Sequence, residues 1–291
     1  MRILVLGRQN KLGFHMVQSF SEDYDVFSWD RDDFDFLDFD ILQNRIITLK
    51  PDLIINTISF DDIDRCENEK GLAWALKYNI DFVLHLAKIS LEINSILMHF
   101  SCEQVFSGLK EKPFFLEDET ANPINKYGET KMKGENELIR LGNRGLKYYL
   151  IRTSRLFGLN QDDFEEDLDF FKSLLISYYQ GQKEFRIINE ELANFTYVPD
   201  LAEASKRLWE LKVPFDVYHL VNENPATWYE AAVELFSICK MPVYIRKIRS
   251  EDLLKEARRP KYSVLKNEKL KKLRPYNLAL AEYLNQINNN L

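Results

Sequence analysis

Apolar and polar residues follow two different rhythms along the first half of the chain. Five short apolar runs have the length of strands: residues 3–7, 26–29, 53–56, 96–100 and 148–151. Between them, helical spacing predicts helices at residues 12–20, 40–50, 67–91 and 127–141. Near-continuous apolar strands separated by helices are typical of a parallel sheet that is covered on both faces. The pattern therefore predicts an α/β fold.

The alternation of predicted strands and helices becomes less regular after about Gly158. Helices are predicted at residues 170–179, 199–211, 228–239 and 278–287, and short strands at 185–188, 217–220 and 243–245. These elements indicate a smaller α/β lobe. We therefore expect one lobe over residues 1–158 and a smaller one over residues 159–291, with the chain crossing back between them.

Composition and charge exclude several classes of protein. The longest apolar runs are far shorter than the ~20 residues that a membrane span needs. The net charge of −7 argues against a nucleic-acid-binding surface, and the acidic run at residues 162–169 is interpreted as a solvated face. The three cysteines are widely spaced and the N-terminus lacks a signal-peptide pattern, so we expect a reducing, cytoplasmic setting. The four histidines lie on separate elements without ligand spacing, so no metal site is expected.

A glycine-containing turn joins the first strand to the first helix. Gly7 and Gly13 have the spacing of the outer glycines in Gly-x-x-Gly-x-x-Gly, and Asn10 stands at the middle position. The first glycine permits a tight turn, the last allows close helix packing, and the helix N-terminus offers N–H groups to a pyrophosphate. Asn tolerates the left-handed backbone of a glycine, but its side chain is expected to crowd the pyrophosphate.

An acidic residue follows at the distance expected for a ribose contact. Asp30 ends the second strand about twenty residues further on, where an acid binds the adenosine ribose. Arg31 beside it could instead meet a 2′-phosphate, so NAD and NADP both stay open. Two glycines alone fit an ordinary strand–helix turn. Their placement after the first strand, together with Asp30, favours a dinucleotide.

A tyrosine and a lysine four residues apart form the second candidate site. In a helix this spacing puts Tyr127 and Lys131 on one face. Carbonyl reduction needs a proton donor, and a neighbouring ammonium makes a tyrosine a better acid near neutral pH. Taken alone, the pair is better explained as a Tyr stacked over a Lys on a solvent face.

Longer motifs surround this pair. The chain reads Phe100-Ser101-Cys102-Glu103-Gln104-Val105-Phe106-Ser107-Gly108 and later Pro123-Ile124-Asn125-Lys126-Tyr127-Gly128-Glu129-Thr130-Lys131. These segments resemble the dTDP-4-dehydrorhamnose reductase family of extended short-chain dehydrogenases/reductases, which shows Ser-Thr-Asp-Tyr-Val-Phe-Asp-Gly and Pro-x-Asn-x-Tyr-Gly-x-x-Lys. Residues 50–56, 64–67, 152–158, 196–202 and 258–265 match further family segments in the same order. The resemblance implies a Rossmann-type doubly wound sheet that binds NAD(P) over residues 1–158, and a smaller substrate-binding lobe.

The resemblance also implies roles by position. Tyr127 is expected to donate the proton, and Lys131 to bind the nicotinamide ribose and lower the tyrosine pKa, while Cys102 stands where the family's Thr hydrogen-bonds the reacting oxygen. The cofactor-contacting positions are Tyr127 and Lys131 together with Gly7, Asn10, Lys11, Leu12, Gly13, Asp30, Arg31, Asp35, Phe36, Ser59 and Phe100. The sugar-nucleotide side comprises Cys102, Glu103, Arg155 and Arg259. An arginine suits a diphosphate because its planar fork can hold two oxygens.

The departures from the family pattern lie at functional positions. Asn10 replaces a glycine, Cys102 replaces the catalytic hydroxyl, Glu103-Gln104 stand for Asp-Tyr, and Arg155 stands for Trp. A thiol is a weak hydrogen-bond donor, and losing one donor to a developing oxyanion can cost ~2.7–4 kcal/mol. No Cys-His motif accompanies Cys102, so it is interpreted as a small buried thiol rather than a nucleophile.

The resemblance implies a reductase that passes a hydride from NADPH or NADH to C4 of a nucleotide-linked 4-keto-6-deoxy sugar in cell-surface glycan synthesis. The alternative is a non-catalytic regulatory subunit that binds a nucleotide sugar and NAD(P), like the β subunit of methionine adenosyltransferase. A reductase or epimerase for a different sugar is the third hypothesis. Tyr127 and Lys131 favour the enzyme, whereas Asn10 and Cys102 favour the subunit. A nucleotide-diphosphate sugar is the expected partner; its base, and the choice between monomer and homodimer, stay open.

Overall fold

The computed structural model describes residues 1–108, 114–160 and 168–289, so most of the acidic run at 162–169 lies outside the described residues. The helices are α1 (Lys11–Ser21), α2 (Phe39–Leu49), α3 (Glu69–Leu76), α4 (Val83–Glu92), α5 (Lys126–Gly142), α6 (Phe170–Tyr179), α7 (Val198–Glu210), α8 (Trp228–Ile238) and α9 (Tyr276–Asn289). The longer strands are β1 (Arg2–Leu6), β2 (Asp25–Trp29), β3 (Leu53–Asn56), β4 (Ile96–Cys102), β6 (Lys147–Thr153), β8 (Glu184–Ile188) and β13 (Tyr244–Ile248). The shorter strands are β5 (Phe114–Phe115), β7 (Leu156–Phe157), β9 (Leu192–Ala193), β10 (Thr196–Tyr197), β11 (Val217–His219), β12 (Ala226–Thr227) and β14 (Val264–Leu265).

A six-stranded parallel sheet forms the centre of the molecule. Its order is β11-β6-β4-β3-β1-β2, and each neighbouring pair is parallel. The chain leaves β1 toward β2 on one side and then returns to β3 on the other, so the order reverses beside β1. Ligands of open α/β sheets bind outside the carboxyl ends of the strands at such a reversal. The predicted doubly wound α/β fold is confirmed.

Alternate residues of each strand pack into two apolar layers, because successive strand side chains point to opposite faces. Ile3 and Val5 of β1 face a cluster that includes Phe20 of α1 and Leu201 of α7. Leu4 and Leu6 face the opposite cluster, which contains residues of α2, α4 and α5: Leu42, Ile46, Val83, Leu86 and Leu138. Both layers are almost fully buried, which explains the near-continuous apolar runs of the sequence.

The second half of the chain divides its contacts. Helices α6, α8 and α9 enclose an aromatic cluster beside the parallel pair β8–β13. Helix α7 instead packs on α1, and β11 pairs with β6 at the end of the central sheet. The division of the chain near Gly158 stays a prediction. In the part of the chain that the structure describes, no helix is long and apolar enough to span a bilayer.

The helix predicted at residues 67–91 differs from the one observed. A short 3₁₀ turn at Arg65–Glu67 precedes α3, and a π-helical turn at Lys77–Phe82 joins α3 to α4. Within this turn, Asn79 accepts the Phe60 N–H through Oδ1 and donates to the Phe60 carbonyl through Nδ2, at 3.0 Å in each case. The π turn thus directs one amide toward the segment that follows β3. Apolar periodicity carries no information on such a local insertion.

A buried ion pair joins α5 to the sheet. Arg152 of β6 meets Glu135 of α5 through two nitrogens, with Nη2 2.7 Å from Oε2 and Nε 3.1 Å from Oε1. The side chains are only 4% and 2% exposed. Arg152 also donates to the Glu117 carbonyl at 3.3 Å. The bidentate geometry offsets the cost of removing both charges from water.

Glu135→Ala is expected to lower the free energy of unfolding by about 3–5 kcal/mol, because it leaves the Arg152 charge buried and unpaired. Glu137→Ala is the matched control on the same helix. Glu137 pairs with Arg140 at a more exposed position, so its loss should cost less than about 1 kcal/mol. Denaturant unfolding of both variants measures the difference. Equal losses would show that the buried pair contributes no more than the exposed one.

Candidate active site

The turn between β1 and α1 is a close backbone contact. Gly7 has a φ of 95°, and a methyl group there would lie 2.5 Å from Asn10 Nδ2 and 2.6 Å from Thr57 Oγ1. A methyl group on Gly13 would lie 1.9 Å from the Gly7 carbonyl oxygen. The geometry therefore requires glycine at both positions, and it seats the N-terminus of α1 directly on the end of β1.

Asn10 does not take the place of a left-handed glycine. Its backbone is extended, with φ −77° and ψ 157°, so the left-handed expectation was wrong. The side chain caps α1 instead: Oδ1 accepts the Gly13 N–H at 2.8 Å. Its Nδ2 donates to Thr57 Oγ1 at 3.0 Å and to the Thr57 carbonyl at 3.2 Å. Because both ends of the amide are held inside the turn, this arrangement gives no support to the expected crowding of a pyrophosphate.

Asp30 lies at the carboxyl end of β2, next to the same turn. Its side chain is buried, with the residue 7% exposed. Oδ2 accepts the Gln9 N–H at 2.8 Å, and Oδ1 accepts the Arg31 N–H at 2.7 Å. The Arg31 side chain is exposed. The acid is therefore held beside the turn, as the sequence spacing predicts.

The next predicted cofactor positions lie at the start of α1. Leu12 is buried in the apolar layer shared by α1 and α7. Lys11 is also buried, and its ammonium lies 3.8 Å from the carboxylate of Asp169, the N-cap of α6. Lys11 thus approaches an element of the second half of the chain.

The remaining predicted cofactor positions differ in exposure. Asp35 is exposed and accepts the Leu37 N–H at 2.9 Å. Phe36 is a core residue that packs edge-on against Phe34. Ser59 is half-buried in the segment that follows β3.

Tyr127, Lys131 and Cys102 come together where α5 crosses the end of β4. The Cys102 thiol donates to the Tyr127 hydroxyl with 3.6 Å between Sγ and Oη. Lys131 Nζ donates to the Phe100 carbonyl at 2.8 Å. Tyr127 and Lys131 are 6% and 4% exposed, which excludes the solvent-face interpretation of this pair.

Burial is the largest cause of the pKa shifts of Tyr127, Lys131 and Cys102. It raises the pKa of Tyr127 well above its usual value and lowers the pKa of Lys131. The net shift of the Tyr127 pKa is therefore upward, and the lowering expected from Lys131 stays a prediction. Burial also raises the pKa of the Cys102 thiol to about 12, so it stays protonated at neutral pH and is a poor nucleophile.

Backbone contacts fix the start of α5. Asn125 caps the helix by accepting the Gly128 N–H at 2.7 Å, and its Nδ2 donates to Gln104 Oε1 at 3.0 Å. A methyl group on Gly128 would lie 2.2 Å from the Gln104 carbonyl oxygen. One turn later, Asn79 of the π turn donates to Thr130 Oγ1 at 3.0 Å. These contacts orient the helix face that carries Tyr127 and Lys131.

Arg155 occupies a strained position between β6 and β7. Its φ of 37° is unusual for a residue with a side chain. The guanidinium donates to the Ala226 carbonyl at 3.1 Å and the Glu191 carbonyl at 3.0 Å, and it lies 3.9 Å from the Trp228 ring centroid. Burial lowers the pKa of Arg155 to about 10, opposed by the carboxylates of Glu103 and Glu191. The guanidinium is thus fixed by packing and by carbonyl oxygens.

Glu103 is the buried acid on the same side. It is 6% exposed, and its Oε1 accepts Gln104 Nε2 at 2.9 Å. Burial raises the pKa of Glu103, although the Gln104 bond and the Arg155 charge oppose the shift. The charges of Glu103 and Arg155 are near enough for each to influence the pKa of the other.

Glu191 is an acid whose role the sequence did not indicate. It is 3% exposed and accepts Trp228 Nε1 at 2.9 Å, Ser250 Oγ at 3.0 Å and Lys255 Nζ at 3.2 Å. It therefore ties the Arg155 environment to the segment near Lys255. Its position within residues 189–195, which stand where the related family usually shows Asp-Asp-Gln-x-Gly-x-Pro, was the available signal.

Arg259 pairs across the molecule rather than facing solvent. Its Nη2 lies 2.8 Å from Asp64 Oδ2, and its side chain is 14% exposed. Asp64 also accepts the Ala257 N–H at 2.9 Å. Burial acts against ionisation of Asp64, but the Ala257 N–H and the Arg259 charge hold its pKa below the usual value. Arg259 thus reaches the segment that follows β3, on the same side as Cys102.

The predicted site residues form two neighbouring groups. The turn residues, Asp30 and the Tyr127 group lie at the carboxyl ends of β1, β2 and β4. Arg155 contacts the second half of the chain with Glu103 near it, and Arg259 reaches back from the second half to Asp64. Within residues 1–108, 114–160 and 168–289, no His, Cys, Asp and Glu cluster could hold a metal ion. A buried tyrosine and a buried lysine on one helix face can carry proton transfer to a carbonyl oxygen.

Comparison with known proteins agrees with this geometry. A family model described as the RmlD substrate binding domain matches residues 1–289. The chain is 28% identical to the spore coat polysaccharide biosynthesis protein SpsK of Bacillus subtilis, over 98% of this chain and 97% of that protein. It superposes on a dTDP-4-dehydrorhamnose reductase from Clostridium acetobutylicum with a TM-score of 0.89 and 26% identity, covering 99% and 100% of the two chains. The same-named protein from Bacillus anthracis, solved in complex with NADP, has a TM-score of 0.88, 24% identity and coverage of 98% and 99%; it supports the fold.

Asn10→Ala is expected to lower the free energy of unfolding by about 1–2 kcal/mol, because it removes the α1 cap and the Thr57 contacts. Asn10→Ser keeps a capping oxygen and should lose less. Asn10→Gly should also be destabilising, since the backbone here gains nothing from a glycine. Denaturant titration distinguishes these outcomes, and a Gly variant more stable than the wild type would contradict them.

Proposed function

Because this chain belongs to the RmlD substrate binding domain family, we propose that it is an NAD(P)H-dependent reductase of a nucleotide-linked 4-keto-6-deoxy sugar. The proteins similar to this chain in sequence and fold include one named as such a reductase and one named as a spore coat polysaccharide biosynthesis protein. The product would enter the synthesis of a cell-surface glycan. The observation that carries the proposal is the buried Tyr127–Lys131 face at the end of β4, with Cys102 against the tyrosine hydroxyl.

The residues present fit a dinucleotide. Gly7 and Gly13 let the turn close tightly, since a methyl group at either position would clash, and the turn leads into the N-terminus of α1, where N–H groups can meet a pyrophosphate. Asp30 presents a buried carboxylate beside the turn for the ribose hydroxyls. Lys131 is buried with one carbonyl partner, and an ammonium has two further hydrogens to give to a ribose. The bound cofactor supplies the hydride.

Tyr127 supplies the proton in this proposal. Its raised pKa keeps the phenol protonated, so the hydroxyl can give its proton to the carbonyl oxygen as that oxygen gains charge. The Lys131 ammonium, on the same helix face, stabilises the phenolate that remains. Cys102 already donates to the tyrosine oxygen and would offer the same weak donor to the substrate oxygen. Burial excludes water from these groups and strengthens each interaction.

Arg155, Glu103 and Arg259 form the sugar-nucleotide side. Glu103 and Arg155 present opposite charges near each other, which suits a sugar hydroxyl that donates to one and accepts from the other. Arg259 is the candidate for the diphosphate. Its planar fork meets Asp64 through one nitrogen and the Ala257 carbonyl through another, so binding would exchange or share these partners.

One observation favours a second candidate. Cys102 is a weaker donor than the hydroxyl that the related pattern shows, and a regulatory subunit that binds nucleotide sugar and NAD(P) would not need a strong one. The intact Asn10 turn removes the other argument for that candidate. The reductase accounts for Tyr127 beside Lys131 at the end of β4, because a subunit that only binds its ligands needs no proton donor there.

Cys102→Thr should raise turnover by up to about a hundredfold, because it restores a hydroxyl donor to the reacting oxygen. Tyr127→Phe should lower turnover by at least about a hundredfold while cofactor binding persists. The assay is oxidation of NADPH and NADH with 4-keto-6-deoxy sugars linked to dTDP or to UDP.

Cys239→Thr is the control for the first of these variants. Cys239 follows α8 and takes no part in the site, so its replacement should leave turnover unchanged. Flat traces from the wild type, Cys102→Thr and Tyr127→Phe, on protein that binds both ligands, would refute the reductase in favour of the binding subunit.

A further inference from the structure

The loop after β2 carries an unusual density of carboxylates. We call residues 30–35 the carboxylate loop; it contains Asp30, Asp32, Asp33 and Asp35, with Arg31 as its one cation. It lies against the turn between β1 and α1, because Asp30 accepts the Gln9 N–H at 2.8 Å. In dinucleotide-binding folds the adenosine ribose binds at this point, so the loop would face the 2′ position of that ribose.

Hydrogen bonds hold the carboxylate loop in one arrangement. Asp33 Oδ2 accepts the Asp30 N–H at 2.7 Å, and the Asp33 N–H returns to the Asp30 carbonyl at 2.9 Å. Gln9 Nε2 donates to Asp32 Oδ2 at 2.5 Å. These bonds hold both acids beside the turn.

The cation of the turn is already neutralised. Arg8 forms an ion pair with Asp33, and its Nη1 also donates to the Ser28 carbonyl at 3.1 Å. The Arg8 guanidinium holds the pKa of Asp33 below its usual value, although burial opposes the shift, so Asp33 stays ionised at neutral pH. Four carboxylates thus stand against three guanidinium groups, those of Arg8, Arg31 and Arg45, the last of which lies over the Phe34 ring.

We infer that Asp33, with Asp32, makes this site select NADH over NADPH by excluding the 2′-phosphate. The inference rests on the proposed dinucleotide site and deepens it. A 2′-phosphate carries about two negative charges at neutral pH and would meet fixed carboxylates, with Arg8 already committed to Asp33. A 2′-hydroxyl donates a hydrogen bond instead. Each oxygen of Asp30 accepts one N–H and keeps a lone pair for it.

Calorimetric titration of the full chain tests the inference with four probes: NADH, NADPH, ADP-ribose and 2′-phospho-ADP-ribose. The wild type should bind each probe without the 2′-phosphate about tenfold or more tightly than its phosphorylated partner. Asp33→Asn removes the charge, can still accept the Asp30 N–H, and releases Arg8. It should tighten NADPH binding by about tenfold and change NADH binding by less than about threefold.

Asp40→Asn is the matched control, because it removes one carboxylate from the first turn of α2 without touching the network. Its ratio of NADH to NADPH affinity should equal that of the wild type. Wild-type binding in which NADPH equals or exceeds NADH would overturn the inference alone, as would an unchanged ratio in Asp33→Asn. Absence of binding by all four probes would overturn the dinucleotide site and the proposed function with it. The wild-type comparison decides the matter even if Asp33→Asn does not fold.

Discussion

Close approach of α5 to its neighbours is the constraint on which the candidate site depends. Two glycines of the helix touch backbone: Gly128 faces the Gln104 carbonyl and Gly134 faces the Asn79 carbonyl, each with room for no more than a hydrogen. At this distance the face of α5 brings Tyr127 to Cys102 and Lys131 to the Phe100 carbonyl. A larger residue at either glycine would lift the helix and separate the reacting groups, since a misplacement of about 1 Å can cost a hundredfold in rate.

The turn between β1 and α1 also depends on close approach at glycines, and there the sequence predicted only part of the structure. The spacing of Gly7 and Gly13 and the position of Asp30 were sufficient to predict the turn and the acid beside it. The backbone of Asn10 was predicted wrongly, because its place in the motif suggested a glycine-like conformation. Its capping of Gly13 and its bond to Thr57 depend on β3 lying beside β1, which no local pattern reveals.

Most regular elements could be predicted because apolar periodicity reflects burial against a sheet. The short strands could not, since pairs such as β9–β12 or β5–β14 are two residues long and arise from segments far apart in the chain. The same applies to Glu191 and to the pairing of Arg259 with Asp64: each contact joins segments separated by many residues. Residue type alone could suggest that Arg259 binds an anion, but it could not show that the Asp64 carboxylate already pairs with it.

The segment at residues 257–262 has a mechanical consequence. Its Ala257 N–H and Arg259 guanidinium bind Asp64, the Arg258 carbonyl accepts from Asn125, and Pro260 lies against Gly108. Directly beside it, Lys261 and Ser263 bond with Leu192 of β9. The chain is therefore bonded here to Asp64 and Asn125 of the first half and to Leu192 of the second half, so a hinge motion that separated these two parts would break all of these bonds together. The contacts of residues 257–263 thus restrain movement of the two halves relative to each other.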